Sequence, residues 1–262
     1  MNRLVHNQNE EVTAIMAVYN GYSTLINSID SVLNQTYKNI KLIICDDCSS
    51  DDSANLIKNY KSSKIVLLTN TENLGLSKTR KKLLQHVNTK YVAFIDQDDR
   101  WHKDKIKKQL EFMCKKNSLM SHTFYTRNNV IKNKKKIIKS DSYIDYDSLL
   151  YGNTIAASSV LIDTTNVKGL NSYCDDKQFD CINDYVIWLN ILKNTKINAH
   201  SICVPEPLLE FTYHGNNLSR NKIRMIYKFF LVIFNIEKKN LVISCFYLLC
   251  NFIRKINYHF IK

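Results

Sequence analysis

The sequence has few glycines and prolines for its length. Five Gly and two Pro occur in 262 residues, which argues against a β protein built from many tight turns. Its eight cysteines do not resemble the disulfide framework of a small secreted domain. Cys45 and Cys48 form a C-x-x-C pair without a second pair at zinc spacing, which argues against a metal or redox role. We therefore predict a folded protein in a reducing compartment.

The first residues have little apolar character, so we expect no signal peptide. Residues Met1 to Glu11 are polar and contain no apolar core of the kind found in signal peptides. We therefore expect the chain to stay in the cytoplasm.

Positive charge is in excess. The formal net charge is +13, and lysines cluster in Lys103 to Lys108 and Lys132 to Lys139. Such a field suits anionic partners, namely phosphates, lipid headgroups or nucleic acid. No nucleic-acid-binding module is recognisable, so we expect no nucleic-acid partner.

No apolar run approaches the ~20 residues that a membrane-spanning helix needs. The tail, residues 221–262, instead carries two shorter runs, Phe229 to Phe234 and Leu241 to Phe252, flanked by lysines and arginines. This pattern favours amphipathic helices lying at the inner face of the cell membrane. The alternative is a helical hairpin packed on the main domain, residues 1–220, or on a second subunit of a homodimer.

Strand and helix patterns alternate through the first hundred residues. Short apolar runs that favour buried strands are separated by segments with apolar residues at helical spacing. Ser49 and Asp52 form a capping-box signal for the second helix. Four strands alternating with three helices predict an α/β fold with a doubly wound, mostly parallel sheet flanked by helices. The predicted strands are Val12–Val18, Ile40–Cys45, Ile65–Leu68 and Tyr91–Ile95.

Two of these strands end in paired acids at what must be one edge of the sheet. Asp46 and Asp47 follow the second strand, and Asp96, Asp98 and Asp99 follow the fourth. Open α/β sheets bind ligands at this edge, and crowded carboxylates suit Mg²⁺ or Mn²⁺. The sequence lacks the glycine-rich turns that cradle phosphate by backbone amides. We therefore expect a metal and a basic side chain, Arg80, to bind the phosphates; a solvated acidic turn is the alternative.

The second half is less regular. A helix is predicted from Asp104 to Asn117, and an acidic turn leads to a further helix with Asp184 in its first turn, where the helix dipole alone would explain a carboxylate. His214 follows the last predicted strand. The other predicted strands are Leu119–Tyr125, Val130–Ile138, Ala157–Ile162 and Val204–Tyr213.

Five motifs in this order resemble glycosyltransferase family 2, inverting transferases with the GT-A fold. The resemblance covers Val12 to about Ser219. It implies a Rossmann-like sheet and a sugar donor activated by a nucleoside diphosphate, most simply a UDP-sugar. The matching segments are Val18–Asn20 with Ser31–Tyr37, Ile43–Asp51, Asn73–Arg80, Phe94–Trp101 and Asn183–Trp188.

The resemblance implies roles residue by residue. Asp184 would be the general base, and Asp98, with Asp96 and His214, would hold the divalent cation between the two phosphates. Asn183 and Trp188 would face the acceptor, although the apolar helix face that carries Trp188 favours the core. The donor-binding residues implied are Val18, Tyr19, Asn20, Asp46, Asp47, Arg80, Asp96 and Gln97.

Some residues depart from the family pattern. Ala17 stands where a proline is usual, Lys81 replaces an asparagine, and Asn183 replaces a common glutamate. Cys48 replaces the glycine after the paired acids. Since a glycine tolerates positive φ there and a cysteine does so only with strain, we expect an altered donor loop.

Two functions of different class follow. The first is a metal-dependent transferase that builds a surface polysaccharide of the capsule, O-antigen or lipopolysaccharide type, on a lipid-linked or glycan acceptor. The second is a non-catalytic membrane-associated adaptor that keeps the fold. A third interpretation treats the acids after Ile95 as a prenyl-diphosphate metal motif, and it would require an all-α protein.

Overall fold

In the computed structural model, the described residues are 10–167, 170, 177–195, 199–215 and 217–260. The polar segment before residue 10, on which the prediction about a leader rests, lies outside them. The strands are β1 (Val12–Val18), β2 (Ile40–Asp46), β3 (Ile65–Thr69), β4 (Tyr91–Phe94), β5 (Arg100–Trp101), β6 (Met120–Asn129), β7 (Lys134–Ile138), β8 (Tyr143–Asp145), β9 (Leu161–Asp163) and β10 (His200–Tyr213). The helices are α1 (Tyr22–Leu33), α2 (Ser53–Asn59), α3 (Leu76–Gln85), α4 (Lys105–Lys116), α5 (Tyr146–Leu150), α6 (Asn183–Asn194), α7 (Lys222–Leu231) and α8 (Leu241–Phe260).

The first four strands form the parallel half of the sheet. They lie in the order β3-β2-β1-β4, every neighbouring pair is parallel, and α1, α2 and α3 connect them. The predicted alternation of strands and helices is therefore confirmed. Because these strands run in one direction, their carboxyl ends lie at one edge of the sheet. The acids that follow β2 and β4 therefore share this edge, as predicted.

The other half of the sheet is mixed. β9 is antiparallel to both β4 and β6, and β10 is parallel to β6. β5, β7 and β8 add short antiparallel pairs. The whole order is β3-β2-β1-β4-β9-β6-β10-β5, with β7 on β6 and β8 on β10. This arrangement brings the end of β10 beside the exit of β4, although more than a hundred residues separate them.

Helices cover both faces of the sheet. Alternate residues of β1 pack on Leu25, Ile29 and Val32 of α1, and α4 packs on the same side. On the other side α3 and α6 supply the core, where Trp188 is fully buried and its ring meets Phe94 edge-on at 5.1 Å between centroids. Each such side chain contributes roughly 2–3 kcal/mol by burial.

Three local predictions were wrong. The strand expected at Val130–Ile138 begins only at Lys134, because residues 130–133 form the turn between β6 and β7. The strand expected at Ala157–Ile162 begins with a 3-10 helix, Ala157–Ser159, because the hydroxyls of Ser158 and Ser159 bond to Asp99 and to the Ala156 carbonyl instead of leaving the backbone extended.

The capping box of Ser49 and Asp52 is also absent. Ser49 Oγ accepts from the backbone of Asn20 at 3.0 Å, and the N–H of Ser53, the first residue of α2, donates to Asp51 at 3.0 Å. The serine is therefore used to hold a neighbouring loop.

The tail is helical, and its inner side packs on the domain. Phe229, Val232 and Ile233 are buried in the core that contains α6, and the Phe229 ring stacks on Tyr185 at 5.6 Å. Glu237 accepts from the Tyr146 hydroxyl at 2.6 Å and from Lys193 at 2.7 Å. These contacts match the predicted alternative of a hairpin on the domain, and a domain boundary at residue 220 stays a prediction.

The outer side of the tail is apolar and faces solvent. Ile223 is 81% exposed and Val242 is 78% exposed. Among the residues that the structure describes, no helix combines the length and hydropathy that crossing a membrane would take. The other exposed large apolar residues of the tail are Tyr227, Phe234, Leu241, Ile243, Phe246, Leu249, Phe252 and Ile253.

Candidate active site

One cleft opens at the carboxyl edge of the parallel strands. Its volume is about 620 Å³, which is enough for a nucleotide-sized ligand. The exits of β1 and β4, the first turns of α3 and α6, and the end of β10 all contribute to it. Of the residues predicted for the site, the cleft is lined by Val18, Tyr19, Asp47, Arg80, Asp96, Gln97, Asp98, Asp184 and His214.

The loop after β4 carries the acids and is tied to the sheet on both sides. Ser158 Oγ accepts from the Asp96 N–H at 3.0 Å and donates to Asp99 at 2.5 Å. The buried Asp99 also accepts from the backbone of Thr212 in β10 at 3.1 Å. Burial and the neighbouring Asp98 raise the pKa of Asp99 well above its usual range. Asp99 therefore fixes the loop and leaves Asp96 and Asp98 free to face the cleft.

Asp96 and Arg80 form an ion pair at the bottom of the cleft, with 2.5 Å between Nη2 and Oδ1. The Arg80 side chain is only 6% exposed. A buried guanidinium so close to the strand exits presents a fixed positive charge to an anionic ligand.

Asp98 and His214 meet across the cleft. His214 Nε2 lies 2.8 Å from Asp98 Oδ2, and Asn217 donates to the same oxygen at 3.3 Å. Burial raises the pKa of Asp98, Asp96 raises it further, and the hydrogen bond from His214 opposes the shift. The structure thus brings together two side chains that lie 116 residues apart and that the sequence assigned to one metal.

The protein side chains supply only part of the coordination shell that a divalent cation needs. Among the described residues no group of three or more His, Cys, Asp and Glu side chains is arranged to hold a metal. Asp98 and His214 are in contact, and the Asp96 carboxylate, paired with Arg80, faces the same cleft. Mg²⁺ is commonly held by one or two carboxylates, with phosphate oxygens and water completing its shell, and these residues fit that mode of binding.

Asp184 lies in the first turn of α6 and faces the same cleft. Asn153 donates to its Oδ2 at 3.1 Å, and the Tyr185 N–H donates to its Oδ1 at 2.8 Å. Burial raises the pKa of Asp184, while Arg80 lowers it. The amide of Asn153 fixes the orientation of the carboxylate, and a raised pKa makes it a better proton acceptor than a free aspartate.

The predicted donor-binding residues divide into two groups. Val18, Tyr19, Gln97 and Asp47 line the cleft, and Gln97 exchanges two hydrogen bonds with the Tyr19 backbone, at 2.8 and 3.0 Å. Asp47 accepts from the N–H groups of Leu74 and Gly75, each at 2.9 Å. Its carboxylate therefore shapes the loop before α3 while it lines the cleft.

Asn20 and Asp46 lie outside the lining of the cleft, and their role in donor binding stays a prediction. Asn20 adopts a positive φ of 50° and accepts from the Ser50 N–H at 2.8 Å. Asp46 is buried and accepts from the Ser49 N–H at 3.1 Å. Both fold the loop after β2. Cys48 adopts a φ of 60°, so the loop keeps the left-handed conformation at a cost of about 1–2 kcal/mol.

Asn183 and Trp188, expected to face the acceptor, lie in the interior, where helical spacing had already favoured Trp188. Trp188 is 0% exposed and Asn183 is 2% exposed, and neither lines the cleft. Helical spacing puts Trp188 on the apolar face of α6, which packs on β4. Burial of a large apolar ring at this position stabilises the fold.

Sequence reasoning missed three polar groups. Asn153 orients Asp184, Ser158 holds the acidic loop, and Asp180 accepts from the N–H groups of Leu76 and Ser77 at 3.1 and 2.8 Å. Gly75 has a φ of 86°, and a Cβ there would lie 2.5 Å from Asp180 Oδ2. The acidic turn before α6 was a signal for Asp180, but nothing local pointed to α3 as its partner.

Solved structures with this arrangement define the class of protein first. The mannosyltransferase PcManGT from Pyrobaculum calidifontis, in complex with GDP-Man and Mn²⁺, matches with a TM-score of 0.67 at 12% identity over 92% of this chain and 68% of that chain. TarS of S. aureus, in complex with UDP-GlcNAc, matches with a TM-score of 0.65 at 16% identity over 95% of this chain and 72% of that chain. The fold is that of GT-A glycosyltransferases.

Sequence comparison then gives the family. The sequence model described as Glycosyl transferase family 2 matches residues 13–165. The chain is 34% identical over 217 residues, 82% of each chain, to the UDP-Glc:alpha-D-GlcNAc-diphosphoundecaprenol beta-1,3-glucosyltransferase WfaP of Escherichia coli. It is 30% identical to the putative teichuronic acid biosynthesis glycosyltransferase TuaG of Bacillus subtilis, over 87% of this chain and 88% of that one. The protein belongs to glycosyl transferase family 2, and it is a glycosyltransferase.

Proposed function

We propose that the protein transfers glucose or a related hexose from a UDP-sugar, with inversion, to a sugar carried on a lipid diphosphate during surface-polysaccharide synthesis. The observation that carries this proposal is that Asp98 with His214, Arg80 and Asp184 face one cleft although they come from four separate segments. WfaP, whose name states a UDP-glucose donor and a diphosphoundecaprenol-linked acceptor, supports the choice of both substrates.

The donor would occupy the parallel half of the cleft. The exits of β1 and β2 supply Val18, Tyr19 and Asp47 for the nucleoside, since they lie at the edge where α/β sheets bind nucleotides. Arg80, held by Asp96, stabilises negative charge that develops on the diphosphate as the bond to the sugar breaks.

A divalent cation, Mn²⁺ or Mg²⁺, would be held by Asp98, with His214 and Asp96 completing the protein side. When bound, it would neutralise charge on the two phosphates. The buried Asp99 supports this assignment, because its hydrogen bonds to Ser158 and Thr212 hold the loop that carries Asp96 and Asp98.

Asp184 would take the proton from the acceptor hydroxyl. Burial raises its pKa, and Asn153 holds its Oδ2, so one carboxylate oxygen is positioned while the group retains basicity. A hydroxyl that attacks the anomeric carbon opposite the departing diphosphate inverts the configuration in a single displacement. One base suffices for this reaction, and no covalent sugar intermediate is needed.

A lipid-linked acceptor would be embedded in a membrane, which supports a location of the protein at the inner face of that membrane. The outer side of the tail combines exposed Ile223 and Val242 with basic residues, including Arg224 and Lys239. Apolar side chains beside lysine and arginine bind anionic bilayers. Because the inner side of the tail is fixed on the domain through Phe229, the outer side is available for a bilayer.

The donor and metal are tested with a panel of nucleotide sugars in the presence of Mn²⁺ or Mg²⁺. We expect a UDP-hexose with the metal to raise the melting temperature of the wild type, because a ligand stabilises the state that it binds. Asp98→Ala should lose most of this protection. Glu72→Ala, which removes an exposed acid outside the cleft, is the control.

Turnover decides between the transferase and an adaptor that keeps the fold. We expect radiolabelled sugar to move from the protecting donor to a synthetic lipid-diphosphate acceptor. Protection by every nucleotide sugar alike, or protection without turnover of any acceptor, would contradict the proposed reaction.

A further inference from the structure

A row of aromatic and cationic side chains leads out of the cleft. Tyr125 and Phe211 line the cleft, and their ring centroids are 5.9 Å apart. Two residues further along these strands, the guanidinium of Arg127 lies 4.6 Å from the centroid of the Tyr213 ring. The parallel register of β6 and β10 pairs Arg127 with Phe211, so all four side chains share one face of the sheet.

Cations accumulate at the outer end of this row. Lys222, the first residue of α7, lies close enough to Arg127 for that charge to lower its pKa, in addition to the larger effect of burial. β7 places Lys136 opposite Arg127 in the antiparallel register, on the same face. Arg127 Nε is buried and has no hydrogen-bond partner in the described part of the chain.

The acidic residue beside Phe211 in β10, Glu210, lies on the other face of the sheet. Glu210 accepts from Asn128 at 3.0 Å and pairs with Lys135 at 3.4 Å, and all three lie on the opposite face by the same registers. Like charges held together are unfavourable unless an anion lies between them. The cationic end of the row therefore has the character of an anion site.

We propose that Arg127, Lys136 and Lys222 bind the diphosphate of a lipid-linked acceptor, outside the donor site. The inference rests on the proposed function, because the sugar of that acceptor would lie in the cleft beside Tyr125 and Phe211. A guanidinium can bind two phosphate oxygens at once, and the lysines add point charges.

The surroundings of the site suit a lipid. Ile131, at the turn after β6, is 64% exposed, and Ile223, next to Lys222, is 81% exposed. The acceptor would therefore pass from an aromatic sugar subsite to a cationic diphosphate subsite and then to an apolar surface. This order matches the order of chemical groups in a sugar attached through diphosphate to a hydrocarbon chain.

The test compares two acceptors that differ only in the diphosphate. One is N-acetylglucosamine α-linked through diphosphate to a short alkyl chain, and the other is the alkyl glycoside of the same sugar. We expect Arg127→Gln and Lys222→Gln each to raise KM for the first acceptor about tenfold, the effect of one lost charge-assisted hydrogen bond, with kcat little changed. Neither substitution should change KM for the second acceptor.

Lys135→Gln is the matched control. It removes one positive charge from β7, but Lys135 precedes Lys136 and lies on the opposite face of the sheet. It should leave both KM values unchanged. An equal rise in KM for both acceptors, an equal effect of Lys135→Gln, or no rise at all would overturn the assignment.

A binding measurement separates this inference from the proposed reaction. Farnesyl diphosphate is titrated into the protein in excess UDP and Mn²⁺, which fill the donor site. We expect Arg127→Gln and Lys222→Gln to weaken its binding about tenfold, whether or not the wild type turns over any acceptor.

Vesicles of anionic phospholipid without diphosphate form the second arm of the binding measurement. They should bind Arg127→Gln as they bind the wild type, because Arg127 lies in β6 and not in the tail. Unchanged farnesyl diphosphate binding, or a loss limited to the vesicles, would refute the site while leaving the transferase reaction intact. Absence of turnover in the wild type would instead count against the proposed function.

Discussion

The two sides of the cleft are built differently. On the donor side, loops that follow neighbouring parallel strands hold one another, as when the Asp47 carboxylate accepts from the backbone N–H groups of Leu74 and Gly75. On the acceptor side, side chains from distant segments meet, as Asn153 does with Asp184. The donor side is thus built by the parallel half of the sheet, with Ser158 and Asp180 from the second half bracing it. Asp184 and the residue that orients it both come from the second half.

This difference bears on specificity. A diphosphate and a nucleoside are common to many donors, and a rigid edge of parallel strands suits them. Acceptors differ, and the mixed half of the sheet together with the tail offers surfaces that can vary without disturbing β1 to β4. The following substitutions test whether the two sides are as separate as their construction indicates.

The largest effect is expected from Asp184→Asn on the acceptor side. Removal of the base should lower kcat about 10²–10⁴-fold, because an amide cannot take the hydroxyl proton. Donor protection against thermal unfolding should remain, since the donor site is left intact. The control is Asp147→Asn, which changes an exposed acid in the first turn of α5. Equal kcat of Asp184→Asn and wild type would show that Asp184 is not the base.

The pH dependence of kcat should report the same carboxylate. Burial raises the pKa of Asp184, so its basic form is lost at a higher pH than for a free aspartate, and kcat should fall about tenfold per pH unit below that pKa. The folded protein binds this proton more tightly than the unfolded chain does, because the pKa of Asp184 is raised by folding. The contribution of Asp184 to the free energy of unfolding should therefore increase as the pH and the activity fall. A pH–rate profile and thermal unfolding at matched pH measure both, and Asp184→Asn should remove both dependences.

On the donor side, Ser158→Ala should destabilise the protein by about 1–3 kcal/mol. The substitution removes the hydroxyl that accepts from the Asp96 N–H and donates to the buried Asp99, so both groups lose a hydrogen bond. Thermal unfolding should show a fall of several degrees. Ser159→Ala should cost less, because the lost hydroxyl donates to the Ala156 carbonyl within its own turn. Equal losses for the two variants would show that the acidic loop does not depend on Ser158.

The smallest effect on the folded domain is expected in the tail. The double substitution Ile223→Ser and Val242→Ser should leave the melting temperature almost unchanged, because exposed sites contribute within about 0.5 kcal/mol. Co-sedimentation with anionic vesicles should fall about tenfold, since two apolar contacts with the bilayer are lost. Val66→Ser, which alters an exposed valine of β3, is the control. Unchanged co-sedimentation would favour a protein partner for the tail.

Much of the donor side could be predicted from local patterns. Buried strands that end in acids specify which edge those acids share, because parallel strands have no alternative. Trp188 could be assigned to the core from helical spacing, and the structure agrees. The loop contacts of Asn20 and Asp46 could not be predicted, because a motif gives position along the chain and does not tell whether a side chain faces the ligand or caps its own loop.

The sequence by itself determined the alternation of strands and helices, the clustering of acids at one edge, and the amphipathic character of the tail, because each depends on periodicity or on near neighbours. Only the tertiary structure decided that His214 meets Asp98, that Asn153 orients Asp184, and that the inner side of the tail packs on the domain. These contacts join residues far apart in sequence, and their geometry follows from the order in which strands are inserted into the sheet, which no local pattern encodes.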